Sequence, residues 1–248
     1  MNRSRMIDSL ILMLLLIGVS TFPTNLLVSD YFWFYVIEAL LFLLVFLYIL
    51  IYERRHPEVV TYPGRFNKIN LFWLLPSFVI VGSNLIYALF LRERPHFDSQ
   101  WYYIPEIIFI SLNVLVEEYI FRRHLLGNLQ HPKKIVRIVI SAGIFALCHL
   151  TFFFSTFNPL ALIKVAYAFG LGMVLGLLYC YTNSLIPCIV LHLLFNLIND
   201  FTFEHFFYVS NELWYYLINV IVTIVVAIYL LIVYLMKLEK KPSVSRLN

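Results

Sequence analysis

Eight apolar stretches follow one another along the chain, at roughly 9–28, 31–52, 70–91, 104–126, 135–154, 160–181, 185–199 and 213–236. About 20 apolar residues in a helix, at 1.5 Å per residue, cross a hydrocarbon layer about 30 Å thick. In lipid, backbone polar groups must be satisfied internally, so such segments pack side by side as helices. The expected fold is all-α: a polytopic helical membrane bundle of about eight transmembrane helices, forming one membrane domain over residues 1–248. The chain is 62% hydrophobic and only 13% charged, whereas soluble domains run near half and a quarter. Intrinsic disorder, a coiled coil, a disulfide-stapled domain and an ordinary cytosolic enzyme are therefore excluded. Cys148, Cys180 and Cys188 form no CxxC pair, so neither a disulfide framework nor a zinc knuckle is indicated. The N-terminus has a signal-peptide look but no small-x-small cleavage site, and it reads as the first helix.

Charge placement supplies orientation. Arg3 and Arg5 precede the first segment, and Arg54, Arg55, Arg65 and Lys68 separate the second from the third. Arg123, Lys133, Lys134 and Arg137 follow the fourth, and Lys237, Lys240 and Lys241 follow the last. If each segment crosses once, all of these fall on one side. The other side carries Asp30, the mixed 92–98 stretch and the acidic 200–212 stretch. The positive-inside rule then puts both termini in the cytoplasm. Nothing in the chain points to nucleic acid; the partner it demands is the lipid bilayer. Ala166, Ala168, Gly170, Gly172 and Gly176 in the sixth segment signal close helix packing.

Ionisable groups inside a bilayer are costly and mark candidate sites. They are Glu38, Glu117, Glu118, Arg122, His149, Lys164 and His192, with Asn113 and Asn196 as buried amides. Glu38 and Lys164 lie near segment ends, where they can snorkel. Glu118 and Arg122 are i,i+4 and share a helix face, which suits an ion pair. Glu117 lies about 140° around the helix from Arg122 and is left to face something else. His192 and Asn196 are also i,i+4. A carboxylate, two imidazoles and an amide on separate helices are the inventory for activating water and stabilising an oxyanion. Taken singly, each motif also suits an interhelical staple. For the groups to meet, the fourth helix must run past Arg122 to a cap at Gly127, leaving Arg123 to snorkel. Glu117 then lies about 16 Å below Asn128.

The ordered triplet Glu117-Glu118-Arg122, Phe145-His149 and His192-Asn196 resembles the CAAX-protease and bacteriocin-processing family of intramembrane glutamic proteases, over about residues 104–200. The resemblance implies that Glu117 and His149 activate water, that His192 and Asn196 bind the oxyanion, and that Glu118 and Arg122 support the helix. It implies a catalytic core at about 104–200, with accessory helices at 9–91 and 213–236. It also implies an endopeptidase with no metal or other cofactor, acting on a membrane-associated peptide or protein. The short chain suggests a bacterial member, in the cytoplasmic membrane, serving bacteriocin or signal-peptide processing or self-immunity. Three alternatives stay open: a zinc site made of Glu117, His149 and His192, a non-enzymatic scaffold or immunity protein, and a proton-coupled transporter. A hydrolase in lipid needs water, so the site residues should line one cavity near the midplane. That cavity is expected to open toward the cytoplasm or sideways between helices.

Overall fold

The computed structural model describes residues 3–56, 71–91, 100–151, 159–207 and 212–239. Arg65, Lys68, the 92–98 stretch, Lys240 and Lys241 lie outside them, as do the side chains of Arg3, Arg5, Asp200 and Lys237.

The described residues are helical wherever they fall in one of the eight apolar segments, apart from short breaks near some segment ends. In chain order these are α1 (Arg3–Ser20), α2 (Tyr31–Arg55), a 3₁₀ stretch (Leu71–Gly82) running into α3 (Ser83–Leu91), and α4 (Tyr103–Glu118). Then come α5 (Lys134–Cys148), α6 (Leu160–Thr182), α7 (Ile186–Phe195) and α8 (Glu212–Glu239). Two helices continue in π geometry: α4 through Tyr119–Leu126 and α7 through Asn196–Phe201. On length and apolarity alone, four spans among the described residues can cross a membrane: Ile7–Leu27, Tyr31–Arg55, Leu162–Thr182 and Glu212–Met236. Leu75–Leu89 and Ile186–Asn199 are shorter apolar helices. The protein is an all-α, multi-pass membrane protein.

Local chemistry sets several boundaries. The Asp30 carboxylate accepts from Phe32 N and Trp33 N and caps α2, satisfying donors that a helix start leaves free. Asn183, left-handed at φ 53°, ends α6, a conformation that asparagine tolerates better than most residues. Pro187 sits in the first turn of α7, where its missing N–H costs nothing. Gly127 is right-handed at φ −64°, so the expected glycine cap is absent and the helix runs through it.

The outside of the bundle is apolar, with Leu14, Leu44, Leu89, Ile104 and Val225 among many exposed large side chains. The inside holds the polar groups, including Glu53, Glu106, Glu118, Arg122, His124, His192 and Asn199. That inversion suits lipid as solvent. The glycines of α6 set its spacing. A Cβ on Gly170 would lie 2.5 Å from Thr223 Oγ1 in α8, and one on Gly172 would lie 3.1 Å from Ala142 Cα in α5. Gly176 meets Ile138 of α5 in the same way. Residues 172 and 176 thus face 142 and 138, so α5 and α6 run antiparallel.

Candidate active site

The site is built on the carboxyl-terminal half of α4, the end of α5, the start of α6 and the end of α7. A cavity of about 210 Å³ lies there, and Glu117, His149, His192 and Asn196 all line it. Glu118 and Arg122 are fully buried beside it and do not line it.

Arg122 Nε donates to Glu118 Oε2 at 3.1 Å, the i,i+4 pair expected from the spacing. The other Glu118 oxygen accepts from His192 Nδ1 at 3.0 Å. Glu118 therefore ties α4 to α7 as well as to Arg122, a second bond that sequence spacing does not reveal. His192 Nε2 lies 3.7 Å from Glu117 Oε2, beyond direct hydrogen-bond range. One imidazole thus stands between two adjacent glutamates with different tasks. His149 Nδ1 lies 2.9 Å from the carbonyl of Phe145. A carbonyl can only accept, so Nδ1 carries the proton and the neutral ring keeps Nε2 as an acceptor. Both imidazoles pack edgewise against the Phe145 ring, at centroid distances of 4.8 and 5.9 Å.

Other residues enter from outside the three motifs. Lys164 lines the cavity and lies within electrostatic range of Glu117 and His149. The expectation that it snorkels to a segment end is thus corrected. Asn113 lines the same wall one helical turn from Glu117, and its Oδ1 has no hydrogen-bond partner among the described residues. Ser20, Thr151 and Tyr167 complete the polar lining. Glu38 accepts from Thr24 Oγ1 at 2.6 Å and stays apart from the site. Arg123 is also corrected: its Nε lies 3.0 Å from Glu53 Oε1, which His124 Nε2 reaches at 2.9 Å. That cluster ties the end of α2 to the π turn of α4.

Below the glutamates the bundle is shut. Ile120, Phe121, Arg122, Leu125, Ala142 and Phe145 are at most 1% exposed, and the Arg122 guanidinium sits over the Phe145 ring at 5.1 Å. The Ser141 hydroxyl donates to the Phe121 carbonyl and locks α5 to the π turn. A packed layer therefore separates the cavity from the end that carries Arg123, Lys134 and Arg137. Among the described residues no three His, Cys, Asp or Glu side chains are grouped as metal ligands.

Residues 99–198 match the family model of type II CAAX prenyl endopeptidases, Rce1-like. The membrane-embedded CAAX protease MroQ of Staphylococcus aureus (strain USA300) is 35% identical over 98 residues, 36% of each chain. The chain thus spans little more than a third of that relative's length. No solved structure matches. The matched stretch contains all seven motif residues, and over it the chain is similar to the CAAX-protease and bacteriocin-processing family.

Proposed function

We propose that the protein is a metal-free, glutamate-dependent intramembrane endopeptidase of a bacterial cytoplasmic membrane, crossing it eight times with both termini in the cytoplasm. Its substrate is a membrane-associated peptide or protein. The observation that carries the reading is the shared cavity: a carboxylate, two imidazoles and an amide from three helices face one space, as water activation and oxyanion binding require.

Glu117 takes a proton from a water held also by His149 Nε2, and that water attacks the scissile carbonyl. His192, held at Nδ1 by Glu118, donates from Nε2 to the developing oxyanion, and the Asn196 amide donates beside it. One such donor is typically worth about 3 kcal/mol of barrier. The proton then passes from Glu117 to the leaving amine as the C–N bond breaks. Glu118 and Arg122 keep His192 and α4 in place. Zinc is the rival chemistry, and one experiment separates the two. Glu117→Gln should lose turnover to background while the chain still inserts and purifies, and wild-type activity should survive a strong chelator. Near-normal turnover in Glu117→Gln, or loss on chelation restored by zinc, overturns the reading.

A further inference from the structure

Away from the cavity, a group of cations stands where α5, α6 and α8 meet. α5 opens with Lys133 at its cap position, then Lys134 and Arg137, and its first turn holds no acidic residue. Cations there run against the helix dipole, whose amino-terminal end favours an anion. At this end of the bundle the Glu53 carboxylate is already taken by Arg123 and His124. No ion pair joins Lys133, Lys134 or Arg137 to a carboxylate among the described residues. Arg137 Nη1 donates to the Leu129 carbonyl at a long 3.4 Å. Its Nε is buried with no hydrogen-bond partner among the described residues.

Register brings the neighbours in. Gly172 faces Ala142 and Gly176 faces Ile138, so the next step along the antiparallel pair sets Cys180 level with Lys134. Lys134 and Arg137 both lie within electrostatic range of Cys180. From α8, Tyr234 lies within the same range of Cys180 and Arg137. Tyr234 is 6% exposed, yet its hydroxyl has no hydrogen-bond partner among the described residues. Nearly all buried donors in native proteins find an acceptor. The Lys134 ammonium, Arg137 Nε and the Tyr234 hydroxyl are all donors, and one oxyanion satisfies the three. The flanks are apolar. Ile140, three residues on from Arg137, is 38% exposed. Phe169, 37% exposed, lies on the Cys180 face of α6, about 16 Å farther along.

We propose that Lys134, Arg137 and Tyr234 bind the phosphodiester of an anionic phospholipid, whose acyl chains lie along Ile140 and Phe169. Guanidinium and phosphate match in charge and geometry, and basic pockets between helix ends take acidic lipid head groups. The exposed apolar strip beside the cations favours a lipid over free phosphate. None of the three residues lines the cavity, so the site stands apart from the peptidase reading. It also holds in whichever leaflet this end of the bundle meets.

The full chain, delipidated in detergent, is titrated with phosphatidylglycerol, phosphatidylcholine or inorganic phosphate. Native mass spectrometry and the thermal midpoint read binding without any substrate. Phosphatidylglycerol should bind about tenfold more tightly than phosphatidylcholine, and inorganic phosphate alone should not reproduce its shift. Tyr234→Phe removes only a hydroxyl with no protein partner, so the lipid-free midpoint should hold or rise. Its phosphatidylglycerol affinity should still fall about tenfold, the order of one hydrogen bond to a charged group. Lys134→Gln and Arg137→Gln should lose most of the preference for phosphatidylglycerol. Arg55→Gln, an exposed cation at the same end, should keep it. If Arg137→Gln does not accumulate, Tyr234→Phe and Lys134→Gln decide the matter. Equal binding of the two lipids by the wild type overturns the proposal, as does an unchanged preference in Tyr234→Phe. A loss in Arg55→Gln as large as in Lys134→Gln means diffuse charge attraction and overturns it too. A full shift with inorganic phosphate overturns the lipid as occupant. Because no arm needs turnover, the peptidase reading and this one stand or fall separately.

Discussion

Glu118 holds two donors at once, Arg122 on its own helix and His192 on α7. Replacing it with glutamine keeps the shape but leaves a fully buried guanidinium without its counter-charge. Breaking a buried pair from one side costs on the order of 3 kcal/mol or more. Glu118→Gln should therefore lower the thermal midpoint in detergent well below that of Glu117→Gln. If Glu118→Gln is as stable as wild type and Glu117→Gln is the unstable one, the two roles are reversed. Lys164→Met removes a charge from the cavity wall with little change in length. A carboxylate on the substrate near the scissile bond would lose its counter-charge, so KM should rise about tenfold, the equivalent of about 1.4 kcal/mol, with kcat little changed. An unaltered KM in steady-state assays takes Lys164 out of the site. The placement of Glu117, His149, His192 and Asn196 at one cavity was legible, because intramembrane charge is rare and helix spacing fixes faces. The place of Lys164 was not, because position along a segment says nothing of which neighbour a long side chain meets.

Helices were the most legible level, since a 20-residue apolar run in lipid has few other options. The π turns were not. Each begins at a motif residue or just after one, at Tyr119 and Asn196, a placement common at functional sites, but no residue pattern announces them. The buried Asn84–Asn199–Asn219 network was equally hidden. Asn199 accepts from the Asn84 N–H and donates to the Ile80 carbonyl, while Asn219 donates to Asn84 Oδ1. It joins α3, the second π turn and α8 across more than a hundred residues of sequence, which local reading does not span. The small-residue pattern of α6 was read correctly as a packing device. Gly170 lies against Thr223 so closely that a Cβ would meet its Oγ1 at 2.5 Å and its Cβ at 2.9 Å. Gly170→Val should therefore push α6 and α8 apart, at a cost of about 1–3 kcal/mol, and reduce the folded yield. A valine variant with unchanged melting in detergent contradicts that contact.

At the scale of the whole molecule the protein turns a soluble fold inside out, with leucines and isoleucines outward and glutamates, histidines and asparagines inward. The basic ends that the sequence offered as a compass lie across a packed layer from the cavity. The layer of Phe121, Arg122 and Phe145 beneath the glutamates then has an electrical meaning. A wet cavity continuous with one bathing solution shares that solution's potential, so the voltage across the membrane falls over the dry layer below it. A charge that crossed the full field would exchange about 2.3 kcal/mol per 100 mV, but a proton moving between water and Glu117 crosses almost none of it. Collapsing the membrane potential with an ionophore should leave turnover in sealed proteoliposomes unchanged, whereas a strong dependence on voltage would mean that the layer leaks. A peptidase of the proposed kind would work as a well sunk from one face, hydrolysing bonds inside the membrane without short-circuiting the ion gradients that the membrane maintains.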